Sequence, residues 1–188
     1  MKKHELTEVF NKIWDLKPEK KGKVYIYNKT KDVHEKKKIY RNYTSYLKIP
    51  PFDTSLKKSY MFDGVEKMLP EVLKPYLNAA QEVDKRFNSV YVNWYEPDDY
   101  IDPHTDCDAY MPKDYLIGIY TLNENSEGFR DLVLTNRKTG AKKKTPLKDG
   151  FVFLTPELNK QYRHEVWRGS HRRISITFRM FETEGSGE

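Results

Sequence analysis

The hydrophobic positions of this chain change from a helical to an alternating spacing near residue 89. Between residues 5 and 16 the apolar residues recur every three or four positions, which predicts an amphipathic docking helix. They are Leu6, Val9, Phe10, Ile13 and Trp14. A second helix is predicted to begin at Pro75, because proline is favoured in a first helical turn. Its expected buried side consists of Tyr76, Ala80, Val83 and Phe87.

From Ser89 onward, short runs alternate between apolar and polar residues, and turn-forming segments such as EPDD separate them. The runs are SVYVNWY, YLIGIYTL, FRDLVLTN, GFVFLT and RISITFRMF. Several short strands at this spacing predict an antiparallel sandwich or barrel. Helices first and strands second predict an α+β, mainly β fold, with the N-terminal helices packed outside a β-barrel.

The segment between the two predicted helices has a less regular pattern. VYIY at 24–27 predicts a strand, whereas residues 29–59 are rich in lysine and tyrosine and have no firm periodicity. We expect surface loops and short strands there, with about 29–65 covering a substrate site. Residues 1–181 are expected to form one domain, and the small polar tail 182–188 to be disordered.

Composition and charge narrow the class of protein. A chain of 188 residues suits one domain, and its net charge of +6 favours an anionic partner or, equally, a well-solvated surface. A single cysteine, Cys107, excludes an internal disulfide and fits a reducing compartment. The polar N-terminus has no secretory pattern, and no apolar run reaches the length of a membrane span. We therefore expect an intracellular, soluble monomer without membrane contact.

A candidate metal site lies in the segment HTDCD. In a strand, His104 and Asp106 would project from the same face, and His164 would join them from another strand. Two imidazoles and one carboxylate hold non-haem Fe(II) and leave coordination positions open for chemistry. An isolated HxD motif often arises by chance, so this interpretation depends on the neighbouring strands.

Two of those strands carry polar faces suited to an anion. In RISITFR, one face consists of Arg173, Ser175, Thr177 and Arg179. Inward-facing arginines in a small barrel require an anion, and a carboxylate matches the planar guanidinium. In SVYVNWY, Asn93 and Tyr95 share a face and have side chains that donate hydrogen bonds. The alternative for both strands is an amphipathic strand with a solvated polar side.

Taken together, these motifs resemble the AlkB-like Fe(II)/2-oxoglutarate-dependent dioxygenases in order and spacing, from about Arg41 to Phe181. The resemblance implies a double-stranded β-helix, or jelly-roll, core. It implies iron bound by His104, Asp106 and His164, and 2-oxoglutarate and O₂ as co-substrates. The implied 2-oxoglutarate residues are Asn93, Tyr95, Arg173, Arg179 and Ser175, where Ser175 replaces an asparagine common in the family. Arg172 is a rival to Arg173, which we prefer because it shares a strand face with Arg179.

The resemblance also implies a reaction and a substrate. Oxidation of an N-methyl group would release formaldehyde, with succinate and CO₂ from the co-substrate. The substrates implied are N-alkylated bases of DNA or RNA, which must be flipped out or single-stranded to reach the iron. Candidate substrate contacts are Asp108, Tyr60, Phe52, Tyr43 and Arg41. Asp108 would accept a hydrogen bond from a base amine, or would instead cap a turn, and Phe52 is equally a candidate core residue.

Three other functions remain open at this point. A 2-oxoglutarate oxygenase acting on protein is disfavoured by the arginine pair, because such enzymes more often use a lysine or one arginine. A lipid or small-molecule oxygenase is a further possibility. A catalytically silent nucleic-acid-binding barrel is disfavoured by the complete set of iron ligands.

Overall fold

The computed structural model describes residues 3–50, 55–59 and 66–182, with side chains from Leu6 onward. Phe52, Tyr60 and the tail 183–188 lie outside the described residues. This part of the chain contains three α-helices: α1 (Lys3–Trp14), α2 (Lys74–Val83) and α3 (Pro156–Gln161). Among the described residues, no helix combines the length and the apolarity needed to cross a bilayer.

Eleven strands in the described part of the chain form three antiparallel sheets. The first three strands are β1 (Lys23–Asn28), β2 (Val33–Lys38) and β3 (Asn42–Leu47). The next four are β4 (Ser89–Tyr95), β5 (Ile101–His104), β6 (Ile117–Asn123) and β7 (Asp131–Asn136). The last four are β8 (Lys142–Pro146), β9 (Gly150–Leu154), β10 (Tyr162–Val166) and β11 (Arg173–Arg179).

The two larger sheets line opposite sides of one cavity. The five-stranded sheet has the order β3-β4-β11-β6-β9, and the four-stranded sheet has the order β5-β10-β7-β8. The remaining pair, β1 and β2, forms a separate hairpin. Two antiparallel sheets around a common interior, with helices on the outside, confirm the predicted mainly β, jelly-roll fold.

The central strands β4 and β11 are two-sided, as their alternation predicts. They pair in a register that sets Trp94 beside Ile174 and Val92 beside Ile176, all of them fully buried. This apolar face packs against the helices, where Phe10 and Ile13 of α1 join the main core. The Trp94 indole donates a hydrogen bond to the carbonyl of Ile13 at 2.9 Å and so attaches the helix to the sheet.

The second helix buries a different stripe from the predicted one, with Ala80 in common. A short 3₁₀ turn (Glu71–Leu73) precedes α2, and the buried residues are Leu73, Leu77 and Ala80. Val83, predicted to be buried, is 55% exposed. The buried positions follow the i, i+4, i+7 spacing that begins at Leu73, which places Val83 outside the stripe.

Within the segment predicted to lie on the surface, strand β3 instead belongs to the main sheet. It forms an edge of the five-stranded sheet by pairing with β4, and Ser45 and Tyr46 are buried. Asn42 and Thr44 lie on the same face of the sheet as Tyr46, and each is the cross-strand partner of an apolar residue of β4. Because polar residues occupy this core-facing side, the strand has no hydrophobic periodicity by which to predict it.

Candidate metal and co-substrate site

The polar faces of the central strands enclose a cavity of about 380 Å³. The predicted faces of β4 and β11 both line it, and the candidate metal ligands of the opposite sheet complete it. The lining side chains relevant to chemistry are Asn93, Tyr95, His104, Asp106, His164, Arg173, Ser175 and Arg179. All eight residues predicted to bind iron or 2-oxoglutarate are therefore in one cavity.

The three candidate iron ligands converge within this cavity. His104, Asp106 and His164 each offer a ligand atom, and these atoms lie within 4.8 Å of one another. His104 and His164 are direct partners across the β5–β10 pair, with ring centroids 4.2 Å apart. The Asp106 carboxylate approaches the His164 Nε2 at 3.4 Å. This set fits a single Fe(II) ion with open coordination positions.

Asp106 reaches the site by a different route from the one predicted. Strand β5 ends at His104, so Asp106 lies in the loop that follows and not on the same strand face. Its main-chain N–H donates to the Asn159 side chain at 2.9 Å. Its carboxylate accepts a hydrogen bond from Arg179 at 2.7 Å. Convergence therefore depends on contacts from α3 and β11, which strand periodicity does not predict.

Two of the ligands, His104 and Asp106, are held in protonation states that suit a metal. The His104 Nδ1–H donates to the Asp102 carbonyl at 2.8 Å, which leaves Nε2 available as the ligand atom. Burial and the neighbouring His164 lower the pKa of His104 to about 4. Burial alone would raise the Asp106 pKa, but Arg179 and His164 outweigh it and hold that pKa well below its ordinary value. A neutral imidazole and a carboxylate are the forms that bind metal.

Arg173 provides a site for an anion in the same cavity. It is only 2% exposed, and its guanidinium lies over the Tyr95 ring, 4.9 Å from the ring centroid. One terminal nitrogen donates to Thr121 Oγ1 at 2.9 Å. Its Nε and other terminal nitrogen have no hydrogen-bond partner among the described residues. Burial lowers the pKa of Arg173, yet a guanidinium stays charged, so the two free donors fit a carboxylate of 2-oxoglutarate.

The rival arginine lies outside the cavity. Arg172 pairs with Glu124 at 2.8 Å, and its guanidinium lies 4.8 Å from the Trp14 ring centroid. Its contacts are therefore with the loop after β6 and with α1. The register places Arg173, and not Arg172, on the cavity face.

Comparison with known proteins bears on the fold. No protein-family model and no curated protein matches the chain. Among solved structures, a prolyl-4-hydroxylase from Pseudomonas putida is similar, with a TM-score of 0.51 and 15% sequence identity. The similarity covers 76% of this chain and 69% of that chain. This chain shares its fold with that protein.

The similarity confirms the jelly-roll fold, and the converging ligands agree with the broader part of the resemblance. A jelly roll with a His-Asp-His site fits the Fe(II)/2-oxoglutarate oxygenases. The comparison does not distinguish the AlkB-like members within that group. Membership of that subdivision stays a prediction.

Of the five predicted substrate contacts, three lie in described residues, and only Arg41 lines the cavity. Its Nε donates to the Asn93 Oδ1 at 2.8 Å, and the side chain is buried. This interior position differs from the predicted substrate contact in a surface segment that covers the site. With its oxygen engaged, the Asn93 amide retains its N–H groups for a co-substrate.

Asp108 and Tyr43 lie away from the cavity lining. Asp108 forms an ion pair with Lys58 at 2.6 Å, which joins the segment 55–59 to the loop after β5. The Tyr43 hydroxyl donates to the Lys23 carbonyl at 3.3 Å, and its ring packs against Gly22, beneath the β1–β2 hairpin. Base contacts by these two residues remain predictions.

The sequence reasoning missed two kinds of residue that shape the site. Val24, Ile26 and Ile39 contribute an apolar wall from the β1–β2 hairpin and the residue after it. Asn159 supports the loop of Asp106 from α3. The alternation in VYIY contained a signal for the wall, whereas nothing in the spacing of Asn159 distinguishes it from other polar residues.

Proposed function

We propose that this protein is an Fe(II)- and 2-oxoglutarate-dependent dioxygenase that hydroxylates a C–H bond of its substrate. The observation that carries the proposal is one cavity containing both parts of the site. The metal-binding atoms of His104, Asp106 and His164 converge there, and the buried Arg173 presents two free donors. Iron, O₂ and 2-oxoglutarate, when bound, would supply the oxidising chemistry.

The protein's own residues hold and orient these groups. His104, Asp106 and His164 would ligate the iron. Arg173 would bind a carboxylate of 2-oxoglutarate, with Asn93 and Tyr95 as further hydrogen-bond donors. The apolar wall from the hairpin would exclude water from the reacting centre.

One candidate substrate is an N-alkylated base in DNA or RNA, which would lose its alkyl group as an aldehyde. The β1–β2 hairpin beside the cavity supports it, because its exposed lysines suit a phosphate backbone. A partly exposed aromatic pair lies nearby. The ring centroids of Tyr40 and Tyr100 are 4.6 Å apart, and the Arg168 guanidinium lies 4.2 Å from the Tyr100 centroid. Aromatic and cationic groups of this kind bind single strands.

The second candidate is hydroxylation of a protein or small molecule, and two observations favour it. The similar solved structure is named a prolyl-4-hydroxylase. Asp108, the residue predicted to contact a base, is instead paired with Lys58. The arginine pair disfavoured this class, but Arg179 is bonded to Asp106, so Arg173 is the arginine of that pair left with free donors for the co-substrate.

The test is a substrate panel assayed by mass spectrometry. Purified protein with Fe(II), 2-oxoglutarate and ascorbate is incubated with methylated DNA and RNA oligonucleotides, and separately with proline- and lysine-containing peptides. Succinate is measured in parallel, with His104→Ala as the inactive control. Loss of 14 Da per methyl from an oligonucleotide supports demethylation, and gain of 16 Da on a peptide supports the hydroxylase. Absence of succinate formation under every condition would overturn the oxygenase assignment.

A further inference from the structure

The loop that carries Asp106 is held by a side chain in place of a neighbouring strand. Strand β5 ends at His104, so the ladder to β10 does not extend to Asp106. Asn159 pairs with both main-chain polar groups of Asp106. Its Oδ1 accepts from the Asp106 N–H at 2.9 Å, and its Nδ2 donates to the Asp106 carbonyl at 3.1 Å. The amide thus mimics the pairing that a strand neighbour would provide.

The Asn159 amide is itself fixed in a buried setting. The residue is 4% exposed, and its Nδ2 also donates to the Tyr115 hydroxyl at 2.8 Å, where Tyr115 is 2% exposed. The Asp106 N–H and carbonyl set which end of the amide points at which group, since only the nitrogen donates, and the Tyr115 hydroxyl accepts the second N–H of that nitrogen. Water has little access to replace either bond, so loss of the amide would leave buried groups unpaired.

Asn159 also connects two parts of the metal site. It lies in α3, and the chain passes from α3 directly into β10, which carries His164. Strand β10 pairs with β5, which carries His104. The side chain of Asn159 therefore ties the loop of Asp106 to the segment that presents one histidine and pairs with the other.

We propose that Asn159 is a positioning residue that fixes the main chain of Asp106, so that its carboxylate is held beside the two histidines before metal arrives. This inference rests on the proposed function for the identity of the metal, but its test does not require the protein to turn over a substrate. The carboxylate is oriented from one side by Arg179 and from the main-chain side by Asn159. Partners of metal ligands typically contribute roughly 10–100-fold to metal affinity.

The test compares Asn159→Ala with Asn88→Ala. Asn88 makes the same double contact elsewhere, because its side chain pairs with the N–H and carbonyl of Phe181 at 2.9 and 2.8 Å. Co(II) binding is measured by titration in the absence of O₂, together with the melting temperature of each metal-free variant. We expect Asn159→Ala to weaken Co(II) binding roughly 10–100-fold, and Asn88→Ala to change it by less than about twofold despite a similar loss of stability.

Two further measurements keep the inference testable if Asn159→Ala folds poorly. Asn159→Asp retains an acceptor for the Asp106 N–H but replaces the donor to its carbonyl, so it should also weaken Co(II) binding. Hydrogen exchange of the metal-free protein should be faster at the Asp106 amide in Asn159→Ala than in Asn159→Asp, which retains the acceptor for that N–H. Co(II) affinities equal to that of Asn88→Ala would overturn the proposal. If the Asn159 variants bind Co(II) more weakly as expected, but the wild-type protein forms no succinate with any substrate, the proposed oxygenase function would be wrong. The positioning role of Asn159 would still be supported.

Discussion

Arg179 donates from a terminal nitrogen to Oδ1 of Asp106 at 2.7 Å, so an arginine predicted to bind 2-oxoglutarate is bonded to a candidate iron ligand. Arg173, the other arginine of the same strand face, has no such carboxylate and retains two free donors. The two arginines are six residues apart on β11, yet they belong to different parts of the site. One lies beside the metal ligands, and the other lies beside the open space for an anion.

Replacing Arg179 should affect both metal and co-substrate. In Arg179→Ala, the Asp106 carboxylate loses a charge-assisted hydrogen bond, which contributes roughly 1.5–3 kcal/mol. We expect metal affinity to fall roughly 10–100-fold. We also expect 2-oxoglutarate affinity to fall. Isothermal titration with Mn(II), with and without 2-oxoglutarate, measures both. Unchanged Mn(II) affinity would show that the ion pair does not hold the ligand.

Replacing Arg173 should affect the co-substrate alone. Arg173→Ala removes the free guanidinium donors without touching a metal ligand, so 2-oxoglutarate binding should weaken roughly 100-fold while Mn(II) binding is retained. Arg172→Ala is the matched control, because Arg172 pairs with Glu124 outside the cavity. Loss of 2-oxoglutarate binding in Arg172→Ala, with Arg173→Ala unaffected, would reverse the assignment.

Metal should stabilise the folded protein through the three ligands. A metal that binds only the folded state at a hundredfold excess over its Kd stabilises by about 2.7 kcal/mol, which raises Tm by roughly 5–10 °C for a chain of this size. A thermal shift with Mn(II) or Co(II), reversed by a chelator, measures the effect. His104→Ala and Asp106→Ala should abolish the shift. His171→Ala should retain it, since His171 does not line the cavity, and a retained shift in His104→Ala would argue against the ligand set.

The two faces of β11 should separate stability from binding. Ile176 is fully buried in the core, and Ile176→Ala should lower the free energy of unfolding by roughly 2–5 kcal/mol while preserving 2-oxoglutarate affinity. Ser175 lines the cavity, and Ser175→Ala should show the opposite pattern. Denaturant unfolding and 2-oxoglutarate titration of both variants provide the comparison. Equal changes in unfolding free energy and in 2-oxoglutarate affinity for the two variants would contradict the assignment of one face to the core and the other to binding.

The central strands were predictable because their chemistry is periodic. RISITFR and SVYVNWY alternate without interruption, and the structure pairs them with Arg173 beside Tyr95 and Ser175 beside Asn93. Strand spacing alone therefore brings these polar residues to one face. The converging set of His104 and His164 was likewise predictable from residue type, although their direct pairing across two strands was not.

The parts that were not predictable depend on contacts between distant segments. Strand β3 places polar Asn42 and Thr44 on its core-facing side, and a hydrophobic pattern is absent there. Asp106 comes to the metal site through a loop held by Asn159, 53 positions away in the chain. A single asparagine in a helix has no local signature of such a contact, because the contact exists only after both sheets have formed.

The ion pair between Lys58 and Asp108 gives opposite expectations for two substitutions. If Asp108 contacts substrate, Lys58 competes with that contact, so Lys58→Ala should raise the rate of substrate oxidation while Asp108→Ala lowers it. Substrate-independent succinate formation should change little in either variant, since neither residue lines the cavity. If the pair only joins the segment 55–59 to the loop after β5, both substitutions should lower substrate oxidation and succinate formation together. Parallel measurement of succinate and oxidised substrate for the two variants distinguishes these outcomes, and parallel losses would remove Asp108 from the substrate contacts.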